Sequence, residues 1–278
     1  MVKHTSIIKT VLPFFTLLGF LCGCVDFKMC SAWSKQELIV DGKDSDWAMP
    51  LLKEKNIAFG ACNDENNLYL CFSVTDRMTK AQLLGLFKQD FYLWLSTKQE
   101  KKHALGIRFS NGSSFMATSL LAKARYMEVQ SFQVIADEMM KNLTIELVRG
   151  TGTATKLAEA KGVSVSFGVS DEGRKITYEF RIPLKESPAC PFAINVAAGE
   201  LIFVGLETSP LDLYEILKQS KSNKEANDTF YESKGLPGQG RRSGRYAMES
   251  RNELETAWAL ERFNPVQVWC KIILAKRP

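Results

Sequence analysis

Residues 57–74 read IAFGACNDENNLYLCFSV, and this stretch decides the fold. Apolar side chains occupy every second position across residues 57–61 and again across residues 68–74. Such alternation is typical of β-strands that bury one face. The polar run at residues 63–67 separates the two patterns and is rich in residue types that favour tight turns. We therefore predict an antiparallel β-hairpin.

The same period-two alternation recurs in six further segments, which are predicted strands. They are residues 91–95, 105–109, 163–169, 176–182, 196–204 and 268–274. Helical patterns are short and few, and one of them places Ala81, Leu84 and Phe87 on a common face. The sum predicts an all-β fold, a two-layer antiparallel β-sandwich of eight to ten strands with a few short helices.

Residues 210–251 interrupt the strand pattern before the last strand. A short helical pattern leads into a long glycine-rich loop that carries Arg241, Arg242 and Arg245. One interpretation is a solvated surface insertion. The other is that these arginines contact anionic lipid headgroups or acidic glycans. No linker-like composition divides the chain elsewhere, so residues 36–278 are predicted to form one sandwich domain.

Residues 1–23 have the features of a bacterial lipoprotein signal peptide. Lysines surround the start of an apolar run at residues 7–21, which is too short to span a bilayer comfortably. The sequence Leu21-Cys22-Gly23-Cys24 closes the run and predicts cleavage before Cys24 and acylation of its thiol. Residues 24–35 would then be a tether. An uncleaved anchor, or a secretory signal cleaved elsewhere, is the alternative.

This signal sets the compartment and the partners. Val25, rather than Asp, follows the modified cysteine, which favours delivery to the outer membrane with the acyl chains as the membrane contact. Loss of the two lysines in the signal lowers the formal charge from +5 to +3. So mild a charge on an exported protein argues against nucleic acid as a partner. Glycans and surface proteins are the partners that such a location would make available.

Five cysteines remain once the signal peptide and the acylated cysteine are set aside: Cys30, Cys62, Cys71, Cys190 and Cys270. An odd number leaves at least one unpaired, although an exported protein can form one or two disulfides. In the predicted hairpin Cys62 lies opposite Tyr69, so Cys62 and Cys71 are diagonal neighbours about 7 Å apart. That separation is too large for a relaxed disulfide, and two buried thiols are predicted.

Four local sequences occur in the order and spacing of one known family. They are DGKDSDW at residues 41–47, NNLYLCFSVTD at residues 66–76, YEFRIPL at residues 178–184 and PVQVWCKI at residues 265–272. Together they resemble the family 9 carbohydrate-binding module, within the wider DOMON-like superfamily of β-sandwiches that bind sugars or haem. The resemblance spans most of residues 37–276 and implies that Trp47 and Trp269 are structural core residues.

The resemblance implies a carbohydrate ligand and no catalysis. The paired tryptophans with which the family clamps a terminal sugar have no clean counterpart in this chain. An interaction protein that keeps the sandwich without its ligand site is therefore the alternative. Haem is the least favoured alternative, because it needs an axial ligand and His103, the one histidine of the mature chain, falls in a predicted polar loop.

Candidate sugar-binding residues follow from strand parity. If the odd-numbered residues of the strand predicted after the hairpin point into the sandwich, Tyr92 and Trp94 point out of it, where large aromatics are unusual. The next strand would place Arg108 on the same face, with small residues that leave room beside the rings. Flat apolar faces with nearby polar groups suit a pyranose. Tyr246 and Trp258, near the end of the inserted loop, are further candidates. Alternatively, helices or that loop cover this face, and Tyr92 and Trp94 are ordinary core residues.

Metal-binding and catalytic residue patterns are sparse. Asp41, Asp44 and Asp46 offer oxygen ligands of the kind that calcium uses, although turn formation explains the same residues. Calcium is the only cofactor suggested.

No nucleophile elbow, zinc motif or phosphate loop occurs in the sequence. Glu179 and Asp76 are carboxylates, but nothing places them across a cleft as a glycosidase pair would require. The protein is therefore predicted not to be an enzyme.

Overall fold

The computed structural model describes residues 27–45, 47, 52–54, 57–85, 89–98, 100, 104–111, 141–150, 152, 154–170, 173–210 and 265–278. In this part of the chain, thirteen strands form two sheets that pack face to face as a β-sandwich. The predicted all-β fold is confirmed, with more strands than the eight to ten predicted. The additional ones include short strands near the N-terminus and the strand at residues 143–149.

A seven-stranded sheet forms one layer. Its order across the layer is β1 (Phe27–Cys30), β13 (Gln267–Ile273), β12 (Leu201–Thr208), β6 (Phe91–Ser96), β7 (Leu105–Asn111), β8 (Leu143–Arg149) and β9 (Thr155–Lys156). Neighbouring strands are antiparallel except β1 and β13, which run parallel.

A six-stranded sheet forms the other layer. Its strands are β10 (Ser164–Val169), β11 (Ile176–Pro183), β5 (Asn67–Val74), β4 (Ile57–Asn63) and β2 (Ala32–Trp33), with β3 (Leu52–Glu54) also paired to β4. The predicted hairpin is β4 and β5, and Cys62 lies opposite Tyr69 as expected. No disulfide forms among the described residues, and Cys62 and Cys71 are buried thiols.

Aromatic side chains from both sheets meet in the core. The ring of Phe72 on β5 lies 5.6 Å from that of Phe91 on β6, nearly perpendicular to it. Phe109 on β7 meets Tyr178 and Phe180 on β11 edge to face, at 5.4 and 6.0 Å. Each such pair contributes about 0.5–1.5 kcal/mol beyond the burial of its area. These contacts show which residues of β5, β6, β7 and β11 point inward, and therefore which point outward.

Helix α1 (Arg77–Leu83) closes one end of the sandwich, which we call the α1 end. Asp76 caps the helix, because its Oδ2 accepts a hydrogen bond of 2.8 Å from the backbone N–H of Thr79. Gln82 Oε1 accepts one of 3.1 Å from the backbone N–H of Val266, just before β13. β12 finishes and β6 and β13 begin at this end. No helix in the described part of the chain is long and apolar enough to cross a membrane.

The chain enters the sandwich earlier than predicted. β1 pairs with β13 in one sheet and β2 pairs with β4 in the other, so residues 27–33 pass from sheet to sheet. Ser31, between the two strands, accepts a 2.8 Å hydrogen bond at Oγ from the backbone N–H of Ala275 and donates to the buried Asn63. The range 24–35, predicted to be a tether, therefore contains two strands. Alternation alone did not reveal them because each is at most four residues long.

Residues 34–45 and Trp47 form a segment that we call the N-terminal strap. It lies on the outer face of the six-stranded sheet and is held there by Glu179 of β11. The Glu179 carboxylate accepts hydrogen bonds from the backbone N–H groups of Asp41 and Gly42 at 2.8 and 2.6 Å, and from Trp47 Nε1 at 2.6 Å. Glu179 is 1 % exposed. Its three donors satisfy a charge that would otherwise be costly to bury.

Candidate functional site

The outer face of the seven-stranded sheet carries the aromatic residues predicted from strand parity. Leu93 and Leu95 point into the core, whereas Tyr92 and Trp94 lie on the opposite side of β6. The strand register confirms the predicted neighbours, with Tyr92 opposite Arg108. The rings of Tyr92 and Trp94 stack, with centroids 5.2 Å apart and planes 5° from parallel.

Glycine on the neighbouring strand determines how Trp94 lies. Gly106 is directly opposite Trp94. A Cβ placed on Gly106 would be 2.5 Å from Cζ3 of the Trp94 ring, so the indole lies across the bare backbone of β7. The room that the sequence suggested beside the rings is therefore filled by Trp94 itself. Trp94 is 8 % exposed, while Tyr92 is partly exposed.

Trp269 repeats this arrangement on the other side of β12. Gly205 of β12 is opposite both Trp94 on β6 and Trp269 on β13. A Cβ on Gly205 would be 2.7 Å from Cε2 and Cζ2 of Trp269, and Trp269 Nε1 donates a 2.9 Å hydrogen bond to Glu207. The expectation that Trp269 is a core residue is wrong, because Cys270 beside it points inward and Trp269 lies on the outer face, partly exposed.

We call Tyr92, Trp94 and Trp269 the aromatic patch. Two of its three members are predicted by strand parity, and Trp269 is not. The available signal was the alternation of Val268, Cys270 and Ile272, which puts the residues between them on the opposite face. The family resemblance outweighed that alternation and gave the wrong face.

An ion pair borders the aromatic patch. Arg108 Nε donates a 3.1 Å hydrogen bond to Glu146 Oε2 on β8, and a second guanidinium nitrogen contacts the same oxygen. The hydrogen bond to Glu146 raises the pKa of Arg108 above its usual value, so the guanidinium stays charged. Burial raises the pKa of Tyr92, and the Asp90 carboxylate, which accepts its hydroxyl hydrogen bond at 3.2 Å, raises the same pKa further. Tyr92 is a neutral hydrogen-bonding group at neutral pH.

The aspartates proposed as calcium ligands have protein partners. Asp41 Oδ1 accepts a 2.9 Å hydrogen bond from the backbone N–H of Lys43, as in an Asx turn. Both oxygens of Asp44 contact Lys175 Nζ, at 2.6 and 2.8 Å, and Ser73 donates to one of them. Asp46 lies outside the described residues. No group of three or more metal-binding acidic, cysteine or histidine side chains occurs in the described ranges, and calcium binding stays a prediction.

The two carboxylates that could have formed a catalytic pair both have structural roles. Glu179 holds the N-terminal strap, and Asp76 caps α1. Both are engaged by backbone donors, which is a structural use of a carboxylate. Neither offers a side chain that faces a partner across a cleft.

Several predicted residues lie outside the part of the chain that the structure describes. They are Cys24, His103, Tyr246, Trp258 and the arginines of the inserted loop. Their proposed roles in acylation, ligand binding and membrane contact stay predictions. The site described here therefore consists of the aromatic patch with its bordering ion pair.

Comparison with known proteins gives a distant structural likeness. No protein-family model matches the chain, and no curated protein matches it in sequence. Among solved structures, the chain is similar to a family 9 carbohydrate-binding module from Caldicellulosiruptor kristjanssonii in complex with glucose, at 12 % identity and a TM-score of 0.33. That likeness covers 67 % of this chain and 80 % of the module. The module in complex with cellotriose gives 12 % identity, a TM-score of 0.32 and coverages of 67 % and 78 %. Likeness at this level leaves the function to the geometry of the site.

Proposed function

We propose that this protein is a non-catalytic carbohydrate-binding β-sandwich. In this proposal it is exported, held at the outer membrane by acylation of Cys24, and binds a glycan on the outer face of its seven-stranded sheet. The binding residues are Tyr92, Trp94 and Trp269 of the aromatic patch, together with Arg108 and Glu146.

The observation that carries the proposal is the placement of aromatic rings beside a fixed ion pair. Tyr92 is stacked on Trp94 and lies opposite Arg108 in the sheet, while Glu146 holds the Arg108 guanidinium from the next strand. A pyranose has an apolar C–H face that packs on aromatic rings and hydroxyls that need donors and acceptors at its rim. Tyr92 provides the aromatic ring. Arg108 provides hydrogen-bond donors and Glu146 provides acceptors, and they lie on the next two strands of the sheet.

The uses already made of Glu179 and Asp76 support a non-catalytic role. A glycosidase needs a pair of carboxylates free to exchange protons with substrate and water. In this chain Glu179 is buried under three donors and Asp76 caps a helix. The chemistry proposed for the face is therefore binding alone.

A second candidate is an interaction protein that keeps the sandwich without a glycan site. The burial of Trp94 favours it, since a ring that is 8 % exposed presents little surface to a sugar. In that case the aromatic patch stabilises the sheet by covering Gly106 and Gly205, and the partner is a protein. The two candidates differ in whether the isolated protein binds any glycan.

A glycan array separates the candidates. The chain from Val25 onward, which keeps β1, is applied beside its Tyr92→Ala and Trp94→Ala variants. Ser166→Ala, on the outer face of the six-stranded sheet, is the matched control. We expect binding by the wild type and the control and loss of binding in Tyr92→Ala, whose ring is partly exposed and whose removal spares the core. Equal binding by all variants would refute this site, and no binding by the wild type would favour the interaction protein.

A further inference from the structure

The structure leaves almost no tether between the proposed lipid and the folded domain. Cys24, the residue proposed to be acylated, is three residues before Phe27, where β1 begins. Three residues of extended chain span at most about 11 Å. The domain is therefore bound closely to whatever surface holds Cys24.

The register of β1 determines which end of the sandwich lies nearer to the start of β1. Phe27 lies opposite Cys270, and β13 runs parallel to β1 from its first residue, Gln267. Phe27 is thus level with a point three residues, or about 10 Å, from the start of β13. That start is at the α1 end, where Gln82 of the helix receives the N–H of Val266. The maximum reach of the chain just equals the distance to that end of the sheet.

We infer that the sandwich sits directly on the membrane, with the corner between its β1 edge and its α1 end against the lipid headgroups. The inference rests on the proposed acylation of Cys24 and goes beyond it, because acylation through a long tether would leave the domain free to rotate. The strand direction sets the orientation. β1 starts near the α1 end, and three residues reach no more than about 11 Å from Phe27, which is too short to lift that end far from the bilayer.

Two of the three large apolar residues that are exposed in the described chain provide a matched pair of probes. Met78, on α1, is 37 % exposed, and Leu201, at the first position of β12, is 38 % exposed. β12 finishes at the α1 end, where Thr208 pairs with Phe91. Its eight residues therefore separate Leu201 from that end by about 23 Å or more. The two side chains are almost equally exposed but lie at opposite ends of the sandwich. Lipid adducts at the two positions can therefore be compared directly.

Photocrosslinking in vesicles tests the orientation. A benzophenone amino acid replaces Met78 in one variant and Leu201 in another, in the full-length acylated protein reconstituted into vesicles of phosphatidylethanolamine and phosphatidylglycerol. We expect lipid adducts at position 78 and none at position 201. A Gly-Ser spacer of about 20 residues inserted before Phe27, with a span of about 25 Å, is expected to abolish the adduct at position 78.

The possible failures are distinguishable by mass spectrometry of Cys24. If Cys24 carries acyl chains and positions 78 and 201 form adducts equally, or neither does, the orientation is refuted while the anchor stands. If the spacer leaves the adduct at position 78 unchanged, the short connection is not what holds the α1 end down, and the inference fails. If Cys24 is not acylated, both the anchor and the orientation fail, whereas the glycan site remains a separate question.

Discussion

The two outer faces of the sandwich are built in opposite ways. The six-stranded face is polar and is covered by the chain itself, since the N-terminal strap lies on it and Glu179 holds the strap from below. The outer face of the seven-stranded sheet is aromatic, with Trp94 and Trp269 lying across the bare backbone of Gly106 and Gly205.

The two faces differ in how far their polar groups are already used by the protein. On the six-stranded face, Glu179, Ser73 and Thr177 are buried, and each makes hydrogen bonds within the protein. If Glu179 turned to a ligand, the strap donors Asp41, Gly42 and Trp47 would lose their acceptor, at about 1–3 kcal/mol each. On the seven-stranded face the ring of Tyr92 is partly exposed, and it lies opposite Arg108, which is paired with Glu146.

The largest expected effect comes from removing the carboxylate that holds the strap. Glu179→Ala leaves the N–H groups of Asp41, Gly42 and Trp47 without their acceptor, and we expect the free energy of unfolding to fall by about 3–5 kcal/mol. Urea denaturation followed by circular dichroism measures it.

The matched change on the other face is Glu146→Ala. Glu146 pairs with Arg108 at a partly exposed site, so its loss is expected to cost about 1 kcal/mol or less. Similar losses for Glu146→Ala and Glu179→Ala would contradict the contrast between the buried carboxylate under the strap and the partly exposed ion pair on the other face.

Two glycines provide the next contrast. A Cβ on Gly168 of β10 would overlap the carbonyl oxygen of Gly42, so in Gly168→Ala two backbones must separate and the strap must shift. A Cβ on Gly106 meets only the side chain of Trp94, which can turn. We expect Gly168→Ala to lower the free energy of unfolding by about 3 kcal/mol and Gly106→Ala by about 1 kcal/mol. Thermal unfolding of the two variants compares their losses of stability. A larger loss in Gly106→Ala than in Gly168→Ala would show that the strap is loosely held.

The smallest expected effect is the acid dependence of the strap. Burial opposes ionisation of Asp44, but the hydrogen bonds from Lys175 and Ser73 outweigh it and leave the pKa of Asp44 below its ordinary value of 3.8. The stabilisation by this carboxylate is therefore complete above pH 3.8 and is lost as the pH falls through the lowered pKa.

Asp44→Asn removes that titration. The difference in free energy of unfolding between the wild type and Asp44→Asn is expected to be constant near neutral pH and to shrink below about pH 3.8. Urea denaturation at a series of pH values measures it. A difference that does not change on acidification would mean that Asp44 and Lys175 are not coupled in solution.

Strand alternation was sufficient for most of the fold. It placed the hairpin around Cys62 and Tyr69 in the observed register and put Tyr92 and Trp94 on the outer face. These predictions succeeded because one face of each strand packs against the aromatic core. Apolar residues therefore recur at every second position of the sequence. Short edge strands such as β1 and β2 have too few residues to show a period.

Contacts between distant residues were beyond the reach of the sequence. Glu179 looked like one member of a carboxylate pair, and only the fold shows that it meets the strap some 130 residues earlier in the chain. The Trp94 ring can lie against the neighbouring strand only because residue 106 is a glycine. The Trp269 ring depends on Gly205 in the same way. A strand glycine signals a close approach, but the sequence does not tell which side chain approaches it.

We propose that carbohydrate binds on the seven-stranded face and not on the strapped face. The most direct measurement is calorimetric titration of one glycan identified on the array into the wild type, Tyr92→Ala and Ser166→Ala. We expect Tyr92→Ala to weaken binding by about tenfold or more, equivalent to about 1.4 kcal/mol, and Ser166→Ala to keep the wild-type affinity. Unchanged affinity in Tyr92→Ala with loss in Ser166→Ala would place the ligand on the other face and refute the proposed site.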